Sequence, residues 1–304
     1  MSLGYDEPLY ILPFDHRHSY GQDVFGFHEP MSADERAIVA HSKMLIYQGF
    51  KRALEQGAPK NHSGILVDEE FGAGILRDAI SHGTITCMPT ERSGQHEFDF
   101  EFGDQFAAHI EAFNPTFTKV LVRYNVEGDA EMNRRQMERL KSLSDYLRDH
   151  QRRFMFELLV PAELAQLAAV GGDKGAYDRT LRPSLMVRAI HELQDGGIEP
   201  DVWKVEGLDS EADCTHIVAA ARRDGRDRVG LIVLGRGEDE SHVIRWLQTA
   251  ARVPGFIGFA VGRSSFLDPI KRWRGGEWSE EQVAVEVASR FLEWIGVFRA
   301  AQIK

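Results

Sequence analysis

Short apolar runs recur along the chain. Each is followed by a polar or glycine-containing turn and then by a longer stretch with helical spacing. The runs cover 10–14, 64–67, 84–88, 119–124, 154–160, 202–205, 229–234 and 256–261. They are short, apolar and often β-branched or aromatic, which suits buried strands. Between them the spacing predicts helices over roughly 33–56, 72–82, 104–113, 129–150, 175–196, 211–224, 239–252 and 279–300. The 129–150 stretch is the clearest: Met132, Met137, Leu140, Leu143 and Leu147 recur at spacings of three to five between charged residues.

Strands alternating with helices imply a parallel sheet. The first strand is not followed by a glycine-rich dinucleotide turn, and eight strand–helix units favour closure. The predicted fold is therefore α/β, a single (β/α)8 barrel. The 304 residues would suit two average domains or one large one. With no Pro/Ser-rich linker and no repeat, one domain over 1–304 is expected. The region 161–196 is longer than one crossover needs and predicts an extra helix. Residues 89–103 form a long polar loop with aromatics, a lid or an ordinary surface excursion.

Charge and cysteine usage narrow the function. The net charge of −11, with no long basic run, argues against nucleic acid. Cys87 and Cys214 are far apart and form neither a disulfide framework nor a metal knuckle, which favours a reducing cytoplasm. No signal peptide or membrane span is read, so no membrane partner is expected. The amphipathic C-terminal segment AVEVASRFLEWIGVFRA is expected to close the barrel or to make a dimer contact. Histidines number 12 and a site from Asp15, His16 and His18 is imaginable, but HRH on a loop lacks a third well-spaced ligand, and no metal is expected.

Active sites of such barrels lie at the C-terminal ends of the strands. Polar residues there include Asp15 and Arg17, Asp68, Lys119, Glu157, Lys204, Gly235 and Arg236, and Gly262 and Arg263. Side chains alternate along a strand. If Lys204 points inward, Trp203 and Val205 face the helices. If Glu157 does, Phe154, Phe156 and Leu158 face outward; if Lys119 does, Val120, Val122 and Tyr124 face outward. All three assignments are sensible together, so two lysines and a glutamate would share the interior of three consecutive strands.

A lysine near another cation in a water-poor pocket is easier to deprotonate, and a neutral amine can form an imine with a ketone. A nearby carboxylate can move the protons that dehydration and C–C cleavage need. Lys204 as nucleophile, Glu157 as proton shuttle and Lys119 as electrostatic neighbour make a class I aldolase. The bland alternative is that each lysine is a snorkelling side chain or half of a salt bridge. Gly235 and Gly262 permit close backbone approach to a phosphate and Arg263 could pair with it, although the acids at 238–240 would have to point away.

The stretches LPFDHR, LVDEEFG, KVLVRYN, FELLV, VWKVEGL, LIVLGRGED and GFAVGRSSF, in this order over about 10–275, resemble class I aldolases of the tagatose 1,6-bisphosphate type. They resemble still more the aldolase-like domain associated with 5-dehydro-2-deoxygluconokinase in myo-inositol catabolism. The resemblance implies a (β/α)8 barrel that cleaves a phosphorylated keto-sugar or keto-acid sugar to dihydroxyacetone phosphate and an aldehyde, without a cofactor. In the inositol-pathway relatives the aldehyde is malonate semialdehyde.

By motif match, the resemblance puts Lys204 at the Schiff-base position, Glu157 at the acid/base position and Lys119 at the second lysine. Asp15 and Arg17 fall in the first-strand substrate segment, and Gly262 and Arg263 in the phosphate segment. Two departures stand out: Gly207 replaces a proline usual in the family, predicting a looser loop, and Arg236 replaces an aliphatic or acidic residue. The rival readings are a tagatose-bisphosphate or sulfosugar-phosphate aldolase, a transaldolase, or a non-catalytic sugar-phosphate-binding barrel that partners a sugar kinase. Any coupling to a kinase is expected in trans, and homo-oligomers are compatible with the sequence.

Overall fold

The computed structural model describes residues 2–235 and 239–302. Eight parallel strands close into a barrel in sequential order, β1 pairing with both β2 and β8. They are β1 Leu9–Pro13, β2 Ser63–Leu66, β3 Ile85–Pro89, β4 Phe117–Arg123, β5 Arg153–Leu159, β6 Val202–Glu206, β7 Gly230–Leu234 and β8 Phe256–Ala260. The longest register joins β4 to β5, from Phe117 opposite Arg153 to Arg123 opposite Leu159. The predicted barrel is thus observed, and each predicted strand lies within two residues of a real one at either end.

The helices are α1 His18–Tyr20, α2 Ala33–Glu55, α3 Glu69–Ser81, α4 Phe106–Phe113, α5 Ala130–Asp149, α6 Leu164–Ala169, α7 Lys174–Thr180, α8 Arg182–Asp195, α9 Glu211–Ala221, α10 Glu240–Ala251, α11 Arg263–Arg274 and α12 Glu280–Gln302. The extra helix predicted between β5 and β6 is a pair, α6 and α7. Helix α11 was not predicted. Glycine leads into it and Pro269 interrupts it, and both weaken the helical signal.

Strand parity divides the apolar residues into two cores. Leu9, Ile11, Leu66, Cys87, Phe117, Met155, Val202 and Ile232 fill the lower barrel interior. Tyr5 closes its floor, edge-on to Phe117 at 5.3 Å and beneath the Arg153 guanidinium at 4.5 Å. Val120, Val122, Phe154, Phe156, Leu158, Trp203 and Val205 face the helix layer instead, as predicted. The helices therefore anchor alternate residues of β4, β5 and β6, which leaves the residues between them to the interior.

Helix α12 packs on the barrel's outer layer. A side chain at Gly49 of α2 would meet Val287 at 2.6 Å, so glycine permits that close helix crossing. Trp294 donates to Ser265 of α11 at 3.0 Å, and Phe291 and Phe298 lie against Phe259 of β8. The C-terminal segment thus closes the helix ring. Among the described residues no helix is long and apolar enough to cross a membrane.

Candidate active site

Parity brings Lys119, Glu157 and Lys204 together above the apolar floor. Glu157 lies directly across the ladder from Lys204. Its two carboxylate oxygens serve the two lysines separately: Oε1 is 2.7 Å from Lys204 Nζ and Oε2 is 2.9 Å from Lys119 Nζ. Lys119 has two further carboxylates, Asp15 at 2.8 Å and Glu91 at 2.6 Å. All these side chains are at most 10% exposed. An isolated buried ion costs several kcal/mol, so the matching of charges is what makes the assembly tolerable.

The electrostatics differ from the expected pair of mutually repelling lysines, because carboxylates separate them. Burial opposes the charge of Asp15, but Lys119, His16 and Lys204 outweigh it and hold the carboxyl well below its usual range. Burial likewise opposes the charge of Glu157, yet Lys119 and Lys204 keep its carboxyl low. Burial also opposes the charge of Lys119, but Asp15, Glu157 and Glu91 hold its ammonium well above the ordinary lysine value. Glu91 goes the other way: burial pushes its carboxyl up despite Lys119 and Arg17.

Above the cluster opens a cavity of about 610 Å³, a size suited to a small metabolite. Lys204 and Glu157 form part of its lining, with Glu206 beside them; Lys119 and Asp15 sit behind them. His16 reaches the lining from the segment after β1. Burial, helped by Arg263 and Lys204, pulls its imidazole down to about 4, so it is neutral at pH 7. Gly235, Gly262 and Arg263 line the β7–β8 side. Arg123, at the end of β4 across the mouth, and Lys174, on α7, line the other.

The β5–β6 excursion is firmly placed. Tyr177 donates to the Val160 carbonyl at 2.9 Å, and Arg182 donates to the Gly207 carbonyl at 2.9 Å.

Other sequence-predicted residues have other duties. Asp68 does not reach the cavity. One of its oxygens caps α3 by accepting from the Phe71 N–H at 2.9 Å, and the other forms a buried ion pair with Lys43. Arg17 is also outside the lining. It grips the 89–103 loop, donating to Glu101 at 2.8 Å and to the Glu91 carbonyl at 2.6 Å. Arg236 lies outside the described residues.

The loop at Gly207 is not loosened by the absence of proline. A side chain there would meet the Trp246 indole at 2.0 Å, and Trp246 donates to Asp209 at 2.7 Å, so ring and loop are locked together. At Gly262 a side chain would lie 2.0 Å from the Pro13 carbonyl oxygen, so glycine is required by the close approach of β1.

Sequence reasoning did not single out Glu91, Arg123 or Lys174, and it considered His16 only as a metal ligand. Glu91 belongs to the 89–103 loop, which is a pinned excursion. Glu91 bridges Phe100 in antiparallel fashion, Phe98 and Phe100 are buried, and Glu97 is held by Arg135 and Arg139 of α5 at 2.8 and 2.7 Å.

Fold and site together define a (β/α)8 barrel with a buried lysine–carboxylate cluster at the C-terminal mouth. The chain belongs to the family described as an uncharacterized protein conserved in bacteria (DUF2090), which it matches over residues 4–302. No curated protein matches it.

Among solved structures it is similar to a fructose-bisphosphate aldolase from Slackia heliotrinireducens DSM 20476, at 14% identity and a TM-score of 0.56, covering 96% of this chain and 86% of that one. A Schiff-base-forming fructose-1,6-bisphosphate aldolase aligns at 14% identity and a TM-score of 0.57, covering 94% and 93%. The YdjI aldolase from Escherichia coli K12 aligns at 12% and 0.53, covering 96% and 91%. At these identities the likeness is one of fold.

Proposed function

We propose that this protein is a class I aldolase acting on a phosphorylated keto-sugar or keto-acid sugar. The observation that carries the reading is the pairing of Lys204 with Glu157 at 2.7 Å in the cavity wall, with Lys119 on the other oxygen of the same carboxylate. An ion pair needed only for stability has no reason to line a cavity wall, where apolar residues of similar volume serve as well. The fold likeness to aldolases, one of them described as Schiff-base forming, points the same way.

In this reading the neutral amine of Lys204 attacks the substrate ketone. Glu157 passes the proton given up by the Lys204 ammonium to the departing carbinolamine hydroxyl, and water leaves. The resulting protonated imine accepts the electron pair of the adjacent C–C bond as the β-hydroxyl gives its proton to the Glu157 carboxylate and the aldehyde departs. Lys119 holds Glu157 in position and stabilises its anionic form. Gly235, Gly262 and Arg263 are the proposed phosphate side, and Arg123 and Lys174 face a second anionic group across the cavity. That polarity favours a substrate charged at both ends. The narrower substrate, 5-dehydro-2-deoxy-gluconate 6-phosphate, with malonate semialdehyde as the aldehyde product, rests on the ordered motifs.

The test is borohydride trapping with dihydroxyacetone phosphate followed by peptide mass mapping. A triose-phosphate adduct on the Lys204 peptide, absent in Lys204→Ala, is expected. A folded wild-type protein that acquires no adduct would refute the dihydroxyacetone-phosphate reading.

A further inference from the structure

We propose that Glu91, carried by the loop after β3, is the proton-holding end of a relay that lets Lys204 become a neutral amine without releasing a proton to solvent. The inference rests on the imine reading above and adds to it a positioning residue from outside the three lysine- and glutamate-bearing strands. A continuous chain of contacts runs from Lys204 to Glu157 at 2.7 Å, from Glu157 to Lys119 at 2.9 Å and from Lys119 to Glu91 at 2.6 Å. Each link is within hydrogen-bonding range.

Three carboxylates border Lys119, and they are not equivalent. Glu157 lies between two ammonium groups. Asp15 is drawn on by Lys119 and Lys204. Both are poor resting places for a proton. Glu91 has Lys119 and Arg17 as its main cationic neighbours, with Asp15 as an opposing anion. Arg17 spends one guanidinium nitrogen on the Glu91 backbone carbonyl and another on Glu101. Glu91 Oε2 is buried without a hydrogen-bond partner. A charge on that oxygen costs more than a neutral carboxyl does, and burial pushes the Glu91 carboxyl up. On the other side, Lys204 is faced by Glu157, Asp15, His16 and the Cys87 thiol.

The transfer balances. A proton passes from the Lys204 ammonium to Glu157, one passes from Lys119 to Glu91, and the proton on Glu157 moves to Lys119. The net result is one proton moved from Lys204 to Glu91, and Glu157 and Lys119 end with the charges they began with; the same links run in reverse return the proton to Glu157 for the dehydration. The cluster's total proton count does not change, so the supply of neutral amine becomes insensitive to pH over the range in which that count holds.

The experiment measures the rate of imine formation with dihydroxyacetone phosphate at pH 7 to 9. Samples are incubated at each pH for varied times and quenched in borohydride at one fixed pH. Wild type, Glu91→Gln and Glu91→Asp are compared, with circular dichroism and melting curves confirming that each is folded. The wild-type rate is expected to be flat. Glu91→Gln, which cannot hold the proton, is expected to be at least about tenfold slower at pH 7 and to climb about tenfold per pH unit. Glu91→Asp is expected to regain the flat profile at a reduced rate.

A flat profile in Glu91→Gln, whatever its rate, would overturn the relay and leave Glu91 a structural residue. A wild-type rate that itself climbs tenfold per unit would overturn the relay while leaving the imine reading intact. A wild type that forms no adduct at any pH would remove both.

Discussion

Replacing Lys119 by methionine removes the cation at the centre of the cluster while keeping most of its volume. Three carboxylates within 2.6–2.9 Å of its Nζ then lose their common partner. Glu157 keeps Lys204, and burial already pushes the Glu91 carboxyl up. Asp15 is left as the main uncompensated charge. Breaking a buried pair in this way costs about 3–5 kcal/mol at neutral pH.

The pH dependence gives the sharper test. In the wild type the Asp15 carboxyl is held below its ordinary value of 3.8. Its stabilising contribution is complete above that value and is lost only as pH falls through its lower folded-state value, so it is constant between pH 7 and 5. In Lys119→Met the same carboxyl is raised above its unfolded value, and its penalty is relieved as pH falls.

Each pH unit of relief is worth up to about 1.4 kcal/mol. The difference in stability between the two proteins is therefore expected to shrink by about 2–3 kcal/mol from pH 7 to pH 5. Urea unfolding at both pH values measures it. A difference below about 1 kcal/mol at pH 7, or one that does not change with pH, would refute the picture of a desolvated, charge-matched cluster.

Two further substitutions separate supporting residues from the site itself. Asp68→Asn is expected to cost about 3 kcal/mol of stability, through the unpaired buried Lys43, while the folded fraction forms the Lys204 adduct at the wild-type rate. Denaturant unfolding and trapping read the two effects independently. Gly207→Ala drives a methyl group into the Trp246 indole and is expected to cost about 1–3 kcal/mol, with an altered Trp emission spectrum on the folded protein as the local sign.

The barrel and its reactive strands were legible because both depend on period-two patterning. Trp203 and Val205 had to face something apolar, and that fixed Lys204 inward. The same logic located Glu157 and Lys119. Glu91 was not legible in this way, since it stands past the end of β3 where no periodicity constrains a side chain. Its placement depends on Arg17 and the bridge to Phe100, both distant in sequence. For Asp68 the sequence carries a signal of its capping duty: Asp-Glu-Glu before an apolar helical stretch is a helix-start pattern, with a cap followed by acids in the first turn. The motif around Arg17 suggests a substrate ligand, but the loop that Arg17 ties down is remote in sequence and not part of that motif.

The five members of the charge cluster come from β4, β5, β6 and the segments after β1 and β3. The β7 and β8 ends contribute cavity wall and none of those five. In the proposed reading, the charge cluster and the phosphate side are therefore carried by different arcs of one ring. Mutations around Gly235 and Gly262 can be sampled by selection without dismantling the balanced charges that keep the interior folded. A barrel divided in this way is well suited to diversify its substrates, because a new preference can be tried in one arc while the chemistry is inherited unchanged in the other.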